Sequence, residues 1–302
     1  IDADITLASK LVKNLYEGIM NHFIKGKTRL TLDVERLPFD KYQVVELIKK
    51  TETEASAGDF NYICKRVDLD ESNRKRCRWA YIRAFEKKPE TYNRRDSTVL
   101  YEVWEGIHEL PRNIVMGSVI ETSRECDLIY VKYNIGEETF TLANRERLGK
   151  VTAKMALEII EKLINALLSI QTVKAGTRIY HRGIRPEYVF LTPQNNTFSV
   201  SLGCFETSKI VKDDENQAYT TVYHAMKEKQ TLNPFAPYEI RNNLIRDTDN
   251  VDWEKADTHS LGVLLLWILG DDIRADKQIN IDILIDYFSD VFINFMEQVL
   301  HN

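Results

Sequence analysis

The stretch Tyr180–Leu191, YHRGIRPEYVFL, decides how this chain is read. It sets His181, Arg182 and Arg185 just ahead of an apolar run through Val189, Phe190 and Leu191. It looks like a catalytic loop with its chemistry removed. The stretch is therefore a disabled site, an altered site or an accident of composition, and its surroundings must choose.

Before it, Thr152–Val173 (TAKMALEIIEKLINALLSIQTV) reads as a long helix with two apolar faces, which predicts a buried helix. After it come a strand in TFSVSL (Thr197–Leu202), a polar segment to about Gln230, NPFAPYEI, a buried helix in THSLGVLLLWIL and a last helix in DVFINFMEQVL. Further upstream the texture is strand-rich. RLTLDVERL, YQVVELIKK and DFNYICKRV carry β-branched or aromatic runs, and NIVMGSVIETS with CDLIYVKYN predicts a hairpin. Between them ESNRKRCRWAYIRAFEKK (Glu71–Lys88) is expected to form a basic helix with a solvated face. STVLYEVWEGIHEL, capped by Ser97 and closed by Pro111, predicts a second helix. Leu7, Leu11, Leu15, Ile19 and Phe23, with Val12 and Met20 beside them, make residues 1–25 an amphipathic helix expected to pack on the domain that follows. Strands first and helices second imply an α+β fold in two lobes joined near Asn134–Gly136. The expected divisions are an N-terminal extension over 1–40, a first lobe over 41–134 and a second over 135–302.

Bulk composition excludes some classes of function. With 41 Lys and Arg against 46 Asp and Glu, the net charge is −5, and no basic excess points to nucleic acid. The longest apolar run, Leu261–Gly270, is too short to cross a membrane, so membrane association is not expected. No signal peptide is read at the start, where Ile1 in place of Met fits a trimmed or mature form. Cys64, Cys77, Cys126 and Cys204 match no zinc spacing and are read as four separate thiols or, in a secreted protein, as one or two disulfides. Asn195-Asn196-Thr197 is an N-glycosylation sequon that matters only in that compartment.

Three segments in order carry a resemblance to the eukaryotic protein kinase fold over roughly residues 41–300. HRGIRPEYVFL resembles the catalytic loop H-R-D-L-K-P-E-N and its strand, FAPYE (Phe235–Glu239) resembles the A-P-E element, and DTHSLGVLLLWIL from Asp257 resembles the helix that begins D-x-W-S-L-G. The resemblance implies a bilobal kinase-like fold, and it also shows what is missing. Phosphoryl transfer rests on positioning and charge neutralisation by metal. Gly183 stands where kinases place the catalytic Asp, Tyr188 where they place a metal-binding Asn, and Leu202-Gly203-Cys204 where they place D-F-G; Thr192–Phe205 holds no acidic residue at all. In place of the glycine-rich phosphate loop the chain reads KKTETEASAG, with Gly58 its one glycine and Glu52 and Glu54 bringing negative charge. Lys65 fits the phosphate-contacting strand lysine, with Glu102 or Glu105 as partner, and is read as structural. His181, Arg182 and Asp257 match architectural positions of the family.

The vestigial pocket is thus Lys65, Gly183, Tyr188 and Leu202, with no catalytic, metal or cofactor residue and no cofactor expected. The implied function is that of a pseudokinase, a scaffold or allosteric partner that does not bind ATP-Mg. The alternatives are an unconventional nucleotide-dependent transferase using Lys65, Arg182 and Arg185, and a structural component of a secreted matrix or cyst wall. The inserted residue in the A-P-E element and LLLWILGDD further resemble the secreted rhoptry-type kinases of apicomplexan parasites, which include many inactive members. That resemblance implies secretion to a parasite organelle, vacuole or cyst wall, glycosylation at Asn195, a Cys77–Cys126 disulfide, and protein partners: another kinase, a host protein or matrix proteins.

Overall fold

The computed structural model describes residues 42–47, 60–66, 79–86, 113–120, 128–171, 176–195, 197–205, 208–212, 233–237, 252–271, 273 and 279–301. The expected extension over 1–40, the strand at 29–37, the segment 49–58, the helix after Ser97, Cys77, Cys126, Glu102, Glu105 and Glu239 lie outside the described residues.

Five strands, β1 (Tyr42–Leu47), β2 (Phe60–Arg66), β3 (Trp79–Glu86), β4 (Gly117–Ile120) and β5 (Leu128–Ile135), form one antiparallel sheet in the order β1-β2-β3-β5-β4. β1 and β2 occupy the runs read as strands, and β4 pairs with β5 as the predicted hairpin, Val119 opposite Val131. The expected basic helix over Glu71–Lys88 is corrected: its second half is β3, which pairs along its whole length with β5, Trp79 opposite Ile135 and Glu86 opposite Leu128. β3 lies inside the sheet, and Ala80, Tyr81, Ile82 and Arg83 are all buried. A strand covered on both faces shows no period-2 alternation, so Arg, Ala, Glu and Lys, all good helix formers, outweighed the aromatic and β-branched residues in the local reading.

Among the described residues the remainder is built round three helices, α1 (Ala153–Gln171), α2 (Trp253–Leu269) and α3 (Asp290–His301), with two small antiparallel sheets. One sheet joins β6 (Phe140–Thr141), β8 (Val189–Gln194) and β9 (Thr197–Leu202); the other pairs β7 (Thr177–Tyr180) with β10 (Lys209–Lys212). Mixed helices and antiparallel sheets make the fold α+β, as the element order implied. α2 is buried from Trp253 to Leu269 except at Glu254, Lys255 and Thr258, and from Leu261 onward it is apolar on every side. The Asp252 carboxylate caps it by accepting from the Lys255 N–H at 3.1 Å. Gly262 lets α3 close in on α2, since a Cβ there would lie 3.1 Å from Leu300 and 3.2 Å from Val299.

α1 corrects a second expectation. Ala156, Ile159, Leu163, Ala166 and Ile170 are buried at helical spacing, but Leu157, Ile164 and Leu168 on its other face are exposed. One apolar stripe packs on the core and the second is left open among the described residues. At its C-terminal end the Gln171 side chain accepts from the Ile179 N–H and donates to the Ile179 carbonyl, which fixes where β7 begins its run toward His181.

Two of the apolar clusters among the described residues bear on the loop. The larger gathers α1, α2, α3, β8 and β9; the smaller gathers Ile63, Tyr81, Val131, Tyr133 and Ile135 of the five-stranded sheet. Tyr188, Phe190 and Cys204 belong to the smaller cluster, so the loop quoted at the outset is bolted to the five-stranded sheet by its own aromatic side chains.

Candidate functional site

The segment His181–Arg185 runs from β7 to a short 3-10 turn, Pro186–Tyr188, which opens β8. Its backbone is held from below by one side chain. The Asp257 carboxylate, on the second turn of α2, accepts from the His181 N–H through one oxygen and from the Arg182 N–H through the other, both at 2.8 Å. Arg182 has φ +64°, a left-handed conformation that a branched or bulky residue rarely adopts. Its guanidinium lies 4.2 Å from the Trp253 ring centroid. Trp253 and Asp257 are four residues apart on α2 and so share a face, which lets one helix hold both the backbone and the side chain of Arg182. Burial pushes the Asp257 carboxyl up to about 6, against the two amide hydrogen bonds and the Arg182 charge, which pull it down.

His181 is buried and its Nε2 lies 2.8 Å from the Gly203 carbonyl, to which the neutral ring donates. Burial pushes its pKa down to about 4, more than the Gly203 bond raises it. The ring is therefore a neutral strut, edge-on to Phe205 with centroids 4.6 Å apart. The peptide of Gly203 is clamped from two sides, because its N–H donates to the Tyr188 carbonyl at 3.0 Å while its carbonyl takes the His181 bond. A Cβ at Gly203 would lie 2.7 Å from the Phe190 ring and 3.3 Å from the Val115 carbonyl. Leu202, the end of β9, exchanges backbone bonds of 2.9 Å with Asn113 and Val115.

The centre of the arrangement is Tyr188, which is 1% exposed. The Arg185 guanidinium lies 4.3 Å from its ring centroid and donates to its hydroxyl. The Arg83 guanidinium, from β3, lies 4.8 Å from the same centroid. Two cation–π contacts on one ring, away from water, are each worth about 2 kcal/mol at the upper end. Burial works against the Arg185 charge, but Tyr188 and Glu187 outweigh it, and its pKa is raised overall. Glu187, also buried, supplies negative charge beside the pair.

Of the four residues read as a vestigial pocket, Tyr188 lies next to the end of β9 through the bond from the Gly203 N–H to its carbonyl, Leu202 precedes that glycine, and Gly183 is buried in the loop. Lys65 is placed by its backbone on β2, opposite Gln43 and Trp79. The buried cation that meets the loop is Arg83, which the reading of Glu71–Lys88 as a helix concealed. The signal was present in WAYIRAF, an aromatic and β-branched run with one cation inside it. Among the described residues no group of three or more His, Cys, Asp or Glu could hold a metal ion. Cys64 and Cys204 are buried thiols that form no disulfide, and burial pushes Cys64 up to about 12. Asn195 is exposed in the turn between β8 and β9, with φ +49°. No described helix is long and apolar enough to cross a membrane.

No protein-family model matches this chain, and no curated protein sequence matches it.

Proposed function

We propose that the chain is a catalytically inactive member of the protein kinase superfamily, a bilobal pseudokinase that serves as a scaffold or allosteric partner and does not bind ATP-Mg. One observation carries the reading. The buried Tyr188 ring has the Arg83 guanidinium 4.8 Å and the Arg185 guanidinium 4.3 Å from its centroid, and in this reading it takes the place where a kinase loop would hold a metal ion and phosphate. Ala80-Tyr81-Ile82-Arg83 stands where kinases carry V-A-I-K on the third strand, so in this reading Arg83, not Lys65, takes the lysine's place. An arginine stacked on an aromatic face is not a lysine reaching for a phosphate. The antiparallel sheet over 42–135, followed by the helical part, supports the two-lobe division.

The test is a thermal-shift titration with ATP and magnesium. The reading expects no saturable rise in Tm; a rise that saturates would overturn its no-nucleotide part. A pull-down that returns one stoichiometric protein supports the partner role, and a chain recovered only within a many-component matrix supports the structural alternative. Secretion in the manner of the rhoptry-type kinases is part of the proposal, and the exposed turn at Asn195 supports it as an accessible sequon. Chain recovered from its own cells should then lose mass on treatment with an N-glycosidase.

A further inference from the structure

α1 and α3 both pack on α2 and leave an open groove of about 920 Å³ between them. Leu157, Ile164 and Leu168 of α1 form one wall, Phe292, Phe295 and Val299 of α3 the other, and Leu261 and Leu265 of α2 lie along the floor. Among the described residues, every large apolar side chain that is exposed lies either on α1 or within residues 285–295. Leu157, Ile164, Leu168 and Phe295 line the groove itself. From Phe295 an aromatic row leads outward, its ring centroid 6.3 Å from that of Phe292, which lies 4.4 Å from Phe288, which lies 6.3 Å from Tyr287. Val291 stands one turn before Phe295 on α3 and shares its face. These six exposed side chains each show between 38% and 79% of their surface. At about half of some 200 Å² apiece, they offer about 600 Å² of apolar surface. That is the upper end of the largest apolar patch on a typical monomer, about 300–600 Å², and a patch of that size marks a docking face.

We propose that this face is where two copies of the chain meet, about a two-fold axis. The area suffices: with interfaces about 60% apolar, about 600 Å² of apolar surface and its polar rim make about 1,000 Å² a side, against about 800 Å² per partner in a stable complex. The shape is self-complementary. α1 and α3 are ridges that flank a groove, so a copy turned by a two-fold axis sets a ridge into that groove and offers its own groove in return. The charge selects no strongly acidic or basic partner. Asp257 is committed to the loop backbone, and the other charged side chains lining the groove, Glu161, Glu254 and Arg178, carry both signs. None of the exposed apolar side chains belongs to the loop at 181–188, so the pairing does not depend on the pseudokinase reading.

The test is sedimentation equilibrium of the full chain over a dilution series. A dimer is expected, with a Kd of about 1 μM or tighter for an interface of this size. Leu168→Glu with Phe295→Glu places two carboxylates in the contact at exposed helix positions, where glutamate is a good helix former. The double variant should sediment as a monomer, its association weakened about 100-fold or more by like charges brought together, with the circular dichroism spectrum unchanged. The contact itself is located in a chain that carries only Leu168→p-benzoylphenylalanine. Isotopically light and heavy copies are mixed dilute, reconcentrated and irradiated, and mass spectrometry should find light–heavy peptides that join position 168 to α1 or α3 of the other copy. A chain that stays monomeric at about 100 μM, a hundred times that Kd, a dimer that survives both glutamates, or cross-links confined to one copy, to another region or to an unlike protein would each overturn the proposal.

Discussion

Asp257 shows how much one buried carboxylate can organise. Both its oxygens are committed to consecutive backbone N–H groups, a task that only a two-acceptor side chain performs. Asp257→Asn keeps one acceptor and turns an amide N–H toward a backbone N–H. The expected loss is about 2–3 kcal/mol in urea unfolding, the cost of a bond to a charged group with a donor left unpaired. His181 and Asp257 also give the site a pH signature. His181 is held at about 4 by burial, so the unfolded chain takes up a proton that the folded chain refuses, and stability falls as pH drops from 6.5 toward 4. Asp257, raised to about 6, acts in the opposite sense: the folded chain binds its proton first, so stability from this group falls as pH rises from 3.8 toward 6. The two oppose each other over one interval. His181→Phe removes the first and uncovers the second, so the stability deficit of the variant should shrink between pH 7 and pH 5. A deficit that holds constant or grows on acidification would contradict the assignment of a neutral, buried His181.

At the scale of elements, the crossing of β8, β9 and the loop before β8 is set by what Gly203 lacks. Phe190 cannot easily swing away from a Cβ at 2.7 Å, because its ring is edge-on to Tyr81 with centroids 5.0 Å apart and lies 6.0 Å from Tyr133. Gly203→Ala should therefore destabilise by about 1–3 kcal/mol, the usual penalty for overpacking, visible as a lower Tm with little change in secondary structure. Elements also show where sequence reading stops. β1, β2, the β4–β5 hairpin, α1 and α2 were legible because their period or their length stood out. β3 was not, since its neighbours β2 and β5 lie far apart in sequence and only their pairing makes a strand of a segment with helical composition. The same error hid Arg83, so the candidate site was legible along the loop at Gly183 and Tyr188 but not on the sheet that faces it.

For the whole molecule, the functional reading predicts that restoring single residues will not restore chemistry. The double variant Gly183→Asp/Tyr188→Asn supplies the two missing loop groups, yet Thr192–Phe205 still offers no acidic metal ligand. It should show no magnesium-dependent nucleotide binding in a thermal-shift titration. It should also be less stable than the wild type, because it empties the place of a large aromatic ring in a packed cluster at a cost of about 3–5 kcal/mol. Magnesium-dependent binding by that variant would mean that an acidic ligand reaches the site from elsewhere in the chain. By itself the amino-acid order determined the α+β class, most of the elements and the absence of acidic residues from Thr192–Phe205, because these depend on local period and on the identity of side chains. Only the tertiary structure decided that Arg83 and Arg185 meet on one tyrosine, that Asp257 carries the loop, and that one face of α1 stays open. Those contacts join residues as much as 105 positions apart, and no local pattern encodes which distant side chain will fill a given space.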